Sequence, residues 1–193
     1  MANAPSKLRM FVACELPDEL IEALRRVQSD LRRHTGDGLR WVRPEGIHLT
    51  LKFLGDVEMT RLEEVKTALA GAIRPFSVSL RPSRLGGFGG RRLRVVWVGL
   101  DGDVDGLSEL AESIVAVLAP LGFPSEDRPF RPHLTLARVP DRVANEERHQ
   151  LSALVEAHQL PDLPVAVVSQ VSLIQSTLGP GGAKYRTIST YPG

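Results

Sequence analysis

Apolar and polar residues change period several times along the chain, and each change marks an element. Leu8 to Cys14 (LRMFVAC) is a short apolar run that predicts a buried strand. Pro17 then opens a stretch in which Leu20, Leu24, Val27 and Leu31 recur at helical spacing, until Gly36 and Gly38 stop it. From Ile47 to Leu54 (IHLTLKFL) the alternation is strict, with Ile47, Leu49, Leu51 and Phe53 on one face and His48, Thr50 and Lys52 on the other. That period predicts a half-buried strand with a polar face. Thr60 and Glu63 have capping-box spacing ahead of Leu62, Val65 and Leu69, which predicts a second helix ending near Pro75. Phe76 to Leu80 reads as a strand.

The same order then returns. Leu93 to Leu100 (LRVVWVGL) predicts a strand, and Leu107, Leu110, Ile114, Val117 and Leu121 predict a helix with Gly122 as its cap. His133 to Val139 (HLTLARV) is a strand pattern, followed by a helical stretch from about Asn145 with Leu151, Leu154 and Val155, and then a strand from Val165 to Ile174. A last hairpin turns at Gly179 to Gly182 into Tyr185 to Thr190. The tetrapeptide HLTL stands at His48 and again at His133, 85 residues later, in the matching element of each half. These observations predict an internally duplicated α+β domain over residues 1–193. Its two lobes are strand-helix-strand-helix-strand units, roughly 8–81 and 92–175, related by a pseudo-twofold axis around a central cleft, with a C-terminal hairpin at 176–191.

Composition narrows the function. With 193 residues, 42% hydrophobic and 24% charged, the chain is neither disordered nor fibrous. Its single cysteine, Cys14, rules out an internal disulfide and a cysteine-based zinc cage, and fits a reducing compartment. No apolar run approaches the ~20 residues of a membrane helix, and Met1 to Leu8 lacks a signal-peptide core, so a cytoplasmic protein without membrane contact is expected. The net charge of +1 gives no general field for nucleic acid. Of the 24 basic residues only Lys7, Lys52, Lys66 and Lys184 are lysines, so arginine dominates. Its planar fork suits phosphate, although a GC-rich genome gives the same skew. Arg81 to Arg94 holds five arginines, four glycines and no acid, which fits either a flexible inter-lobe hairpin or a guide for an RNA backbone. The patterns GxxxxGK[ST], HExxH and GxSxG are absent, which removes the P-loop, zinc-protease and serine-hydrolase readings.

The repeated HLTL carries the chemistry. In a strand His48 and Thr50 share a face, roughly 7 Å apart, as do His133 and Thr135. If the pseudo-twofold brings these faces together, one imidazole can take a proton from water while the other gives one to a leaving oxygen, and two hydroxyls hold an anion. That arrangement suits phosphodiester cleavage without a metal, and a strained cyclic phosphate is an apt substrate. A lone strand histidine is ordinarily a solvated residue, and threonine is common in strands; duplication is what lifts these pairs above that background. Lys52 is expected to snorkel to solvent at the strand end. His34, His149 and His158 lack the xTx partner and read as surface residues. Phe11 and Trp97, on matching strands, are expected in the core unless a base stacks on them.

The segments RMFVACELP, WVRPEGIHLTLKFLGDV, RVVWVGLDG, GFPSEDRPFRPHLTLARV and GGAKY resemble the 2H phosphoesterases. Within that group they are similar to the bacterial and archaeal RNA 2′,3′-cyclic phosphodiesterases, also called 2′-5′ RNA ligases, over Leu8 to Tyr191. The resemblance implies a two-lobed LigT-like fold and opening of a terminal 2′,3′-cyclic phosphate to a 2′-phosphate, with 2′-5′ joining as related chemistry. It implies neither metal nor nucleotide cofactor, and as partner an RNA ending in a cyclic phosphate, such as a tRNA fragment or an oligonucleotide, bound by a monomer. It places the catalytic pair on His48 and His133, with His133 as base and His48 as acid, and Thr50, Thr135 and Arg138 on phosphate. Strict alternation from His133 turns Arg138 away from the site, so that role requires a bulge or a strand end. Phe11, Arg91, Arg92, Arg128 and Arg131 are candidate RNA contacts. The rival expectations are a phosphodiesterase for ADP-ribose 1″,2″-cyclic phosphate and a non-catalytic protein that binds RNA ends.

Overall fold

Leu8, Met10, Val12 and Cys14 all turn into the core from the first strand, β1 (Lys7–Cys14), as the apolar run predicts. The computed structural model describes residues 6–90, 92–126, 129–179 and 182–192. Helix α1 (Asp18–Thr35) buries Leu20, Leu24, Val27 and Leu31, and its end is set by Gly36, whose φ of 57° suits a residue without a Cβ. The remaining elements are β2 (Arg40–Trp41), β3 (Leu49–Glu58), α2 (Leu62–Ala72), β4 (Val78–Phe88), β5 (Val95–Gly102), α3 (Val104–Leu118), β6 (His133–Arg138), α4 (Asn145–Ala157), β7 (Ala166–Val168), β8 (Gln170–Gly179) and β9 (Gly182–Pro192). The α+β class follows directly, and Gly122, at φ 82°, closes the turn after α3. Among the described residues no helix is long and apolar enough to cross a membrane.

The nine strands of the described residues form one antiparallel sheet in the order β7-β4-β5-β6-β3-β1-β8-β9, with β2 beside β6. Its two halves meet at a single pairing, Leu49 with Leu134, between β3 and β6. The third strand of each sequence half lies in the sheet of the other: β4 pairs with β5, and β8 with β1. The stretches 8–81 and 92–175 are therefore not the lobes in space, because each lends its last strand to its partner. Helices follow the same exchange. Gln28 of α1 donates to the carbonyl of Leu136 on β6, while α3 packs against β3 and α2. The strand expected over Val165 to Ile174 breaks at Ser169, and the chain steps from β7 at one edge of the sheet to β8 near the other. Two sequence neighbours can reach opposite ends only if the sheet curls, and that curl makes the concave face.

Two local expectations give way to tertiary partners. Thr60 makes no capping bond; it lies in a 3-10 turn at Met59–Arg61. The cap position falls to Arg61, whose guanidinium donates to Leu121 and Glu64. Most of Arg81 to Arg94 is strand, not loop. Pro82, Leu85 and Gly86 are buried within β4, and of the described residues only 89–90 and 92–94 lie between β4 and β5. Glycine serves packing here: a Cβ on Gly86 would lie 2.9 Å or less from three ring atoms of Trp97.

Candidate active site

The sole β3–β6 pairing sets the two HLTL motifs against each other. With Leu49 opposite Leu134, the antiparallel register brings His48 alongside Thr135 and Thr50 alongside His133. All four side chains line one cleft of about 580 Å³ on the concave face. The histidines are diagonal neighbours, with Cα atoms roughly 8 Å apart by strand rise and strand spacing.

Both imidazoles are held the same way. His48 Nδ1 donates to the Gly46 carbonyl at 2.8 Å, and His133 Nδ1 donates to the Arg131 carbonyl at 2.7 Å. These bonds fix the tautomer and leave each Nε2 lone pair for the cleft. Phe11 stacks on the His48 ring (4.6 Å between centroids, 25° between planes), and Tyr185 meets it edge-on at 5.1 Å. On the other side Phe88 meets His133 edge-on at 4.8 Å. Burial disfavours the imidazolium, so His48 is pushed down to about 4, the Arg138 charge adding to the effect. His133 is pushed below its ordinary value by the same two causes in the same order.

A bulge follows each motif, and it changes which side chains face the cleft. In β3 the ladder to β1 jumps from Ala13↔Thr50 to Val12↔Lys52; in β6 the ladder to β5 jumps from Trp97↔Thr135 to Val96↔Ala137. Leu51 and Leu136 are the extra residues, at equivalent places in the repeat. Arg138 is thereby turned into the cleft, as the resemblance requires and alternation alone forbids. The equivalent bulge in β3 corrects two expectations in the first motif. Lys52 is buried rather than solvated, donating to the Pro124 carbonyl. Phe53, placed by alternation on the core face, is 56% exposed and lines the cleft as the counterpart of Arg138.

The candidate RNA contacts separate. Phe11 lines the cleft but is buried beneath the His48 ring, so it supports that ring. Arg92 lies in the β4–β5 turn and Arg131 is exposed, and neither side chain lines the cleft; Arg131 contributes its carbonyl. Arg91 and Arg128 fall outside the described residues. His158, expected on the surface, is tucked against Asp30 of α1 at 3.3 Å. The sequence reading missed Arg9, Phe53, Phe88 and Tyr185 in the cleft. For Phe53 a signal existed: the repeat offset maps it onto Arg138. Among the described residues no group of three or more His, Cys, Asp or Glu is placed to hold a metal ion.

Comparison with known proteins agrees with this geometry. The family model described as LigT like phosphoesterase matches residues 15–97 and again 98–185, once for each repeat. The RNA 2′,3′-cyclic phosphodiesterase of Methanothermobacter thermautotrophicus is 32% identical, covering 96% of this chain and 98% of that protein. Its namesake from Thermotoga maritima is 31% identical over 94% of this chain and 93% of its own. The crystal structure of Escherichia coli LigT complexed with 3′-AMP superimposes with a TM-score of 0.75 at 27% identity, covering 96% of this chain and 98% of that one. Two matches of one family model, relatives aligned nearly end to end and a shared fold lead to one conclusion: the chain belongs to the LigT like phosphoesterase family, the 2H phosphoesterases.

Proposed function

We propose that the protein opens RNA-terminal 2′,3′-cyclic phosphates to 2′-phosphates by acid and base catalysis between His48 and His133. The observation that carries this reading is the duplicated hydrogen bond from Nδ1 to the carbonyl two residues earlier, which leaves both Nε2 atoms to the same cleft. The relatives named RNA 2′,3′-cyclic phosphodiesterase support the substrate class.

The cyclic phosphate lies between the imidazoles, with Arg138 and the hydroxyls of Thr50 and Thr135 on its non-bridging oxygens. One Nε2 takes a proton from water as the water oxygen attacks phosphorus. The other imidazolium gives its Nε2 proton to the departing 3′ oxygen, the P–O3′ bond breaks, and the 2′ ester remains. Exchange with solvent restores the starting protonation. A 5′-hydroxyl attacking in place of water gives a 2′-5′ linkage by the same displacement.

The family resemblance makes His133 the base and His48 the acid. The deeper depression of His48 favours the reverse, because the imidazole that resists protonation is the one that waits neutral for a proton. A substrate with sulfur at the 3′ bridging position decides between them, since a thiolate leaves without a proton. His48→Ala and His133→Ala should each lose roughly 10²- to 10⁴-fold on the natural ester. The sulfur substrate should restore the variant that lacks the acid and leave the other slow. Full activity in either variant on the ester would refute the two-histidine reading.

A further inference from the structure

Only two cations line the described cleft, and they stand at opposite ends of it. Arg138 extends from β6 beyond His48, and Arg9 extends from β1 beyond Phe53. Arg9 sits four residues along β1 from Ala13, the ladder partner of Thr50, which is roughly 13 Å at strand rise. Between the histidines and Arg9 the wall is apolar, made by Phe11, Phe53 and Leu178. Phe53 and Leu178 are 56% and 67% exposed, so this wall is open to a ligand. No acidic side chain lines the cleft among the described residues, and Arg9 joins no ion pair there, even with its ladder neighbour Asp56. The cleft thus presents a cation, two proton carriers, an apolar shelf and a second cation, in that order.

We propose that Arg9 holds the phosphoryl group on the 5′ oxygen of the nucleoside whose 2′,3′-cyclic phosphate reacts. This rests on the cyclic phosphodiesterase reading. With the cyclic phosphate between the histidines, the nucleoside lies over Phe53, and its 5′ side points along β1 to the exposed guanidinium. The distance is one that an arginine side chain and one nucleoside close between them. The upstream RNA then leaves across β1 and β8, and Arg92 of the β4–β5 turn, which the sequence offered as a guide, lies off this path. The 5′ phosphoryl group can be the diester of a chain or the monoester of a nucleotide, and both present anionic non-bridging oxygens to Arg9.

The test compares wild type, Arg9→Ala and Arg9→Lys on three substrates: a nucleoside 2′,3′-cyclic phosphate with a free 5′-hydroxyl, the same compound carrying a 5′-phosphate, and a dinucleotide ending in the cyclic phosphate. Arg9→Ala should raise KM about tenfold on the two 5′-phosphorylated substrates, as expected for one charge-assisted contact, and leave kcat unchanged. The free-hydroxyl substrate should be unaffected, and Arg9→Lys should recover part of the loss. A loss on the dinucleotide alone assigns the contact to chain RNA; a loss on both assigns it to any 5′-phosphoryl group. Equal losses on all three substrates, or no loss on any, would overturn the proposal while leaving cyclic phosphodiesterase activity intact. Wild-type failure on all three would instead overturn the functional reading, and this proposal with it.

Discussion

Replacing His48 by glutamine should flatten the acid side of the protein's stability curve. The ring is stacked on Phe11 and edged by Tyr185, and burial holds its pKa at about 4, against an ordinary 6.5. A histidine depressed on folding is bound by a proton first in the unfolded chain. Its contribution is therefore fully present above pH 6.5 and drains away as the pH falls to the folded value. Linkage puts the loss at about 2 kcal/mol by pH 5 and about 3 kcal/mol by pH 4. His133 is depressed in the same direction, so wild type loses more than this, and the variant keeps the His133 share. Urea unfolding of wild type and His48→Gln at intervals from pH 7.5 to 4 isolates the His48 share as the difference between the curves. Curves that run parallel over that range would refute the claim that the folded protein holds His48 neutral.

Three further outcomes are expected. Because both imidazoles are pulled below 6.5 and the productive free enzyme needs one of them protonated, kcat/KM should peak between about pH 4 and 6.5, with the kcat optimum higher once the substrate anion is bound; a kcat/KM optimum above pH 8 would contradict this. Arg138→Ala removes the proposed phosphate contact and a charge that depresses both histidines, so kcat/KM should fall about 10- to 100-fold while both limbs of its pH profile move upward; an unchanged profile would show that the guanidinium does not face the imidazoles. Gly86→Ala forces a methyl into the Trp97 indole and should cost about 1–3 kcal/mol in urea unfolding; a neutral result would mean that the indole is free to move.

Local pattern was enough to locate the strands and helices of both repeats and to bring His48, Thr50, His133 and Thr135 together, because alternation and helical spacing report directly on burial. It failed where a distant partner decides. After Thr50 and Thr135 the period-2 reading goes out of step, since a bulge is a feature of two paired strands and leaves no mark on one strand alone. Arg138 and Phe53 are placed by that feature. The exchange of β4 and β8 was hidden for a related reason: an alternating strand is equally compatible with any neighbour. Gly86 and Gly87 beside arginines look like a loop until Trp97 and Leu93 are seen to fill the space their missing side chains leave. The carbonyls of Gly46 and Arg131 were invisible because a backbone acceptor is present at every position. The repeat itself was the strongest guide, and carrying its 85-residue offset two positions past the motif would have paired Phe53 with Arg138.

In the proposed mechanism two imidazoles place water on phosphorus and expel the 3′ oxygen. The most direct measurement treats an oligonucleotide ending in a 2′,3′-cyclic phosphate with the protein in ¹⁸O-labelled water containing excess EDTA, and reads the product by mass and by phosphatase sensitivity. The account predicts one ¹⁸O atom in a phosphatase-sensitive 2′-phosphate, at a rate unaffected by the chelator and lost in both His48→Ala and His133→Ala. A 3′-phosphate product, activity abolished by chelation, or full turnover in either variant would contradict it.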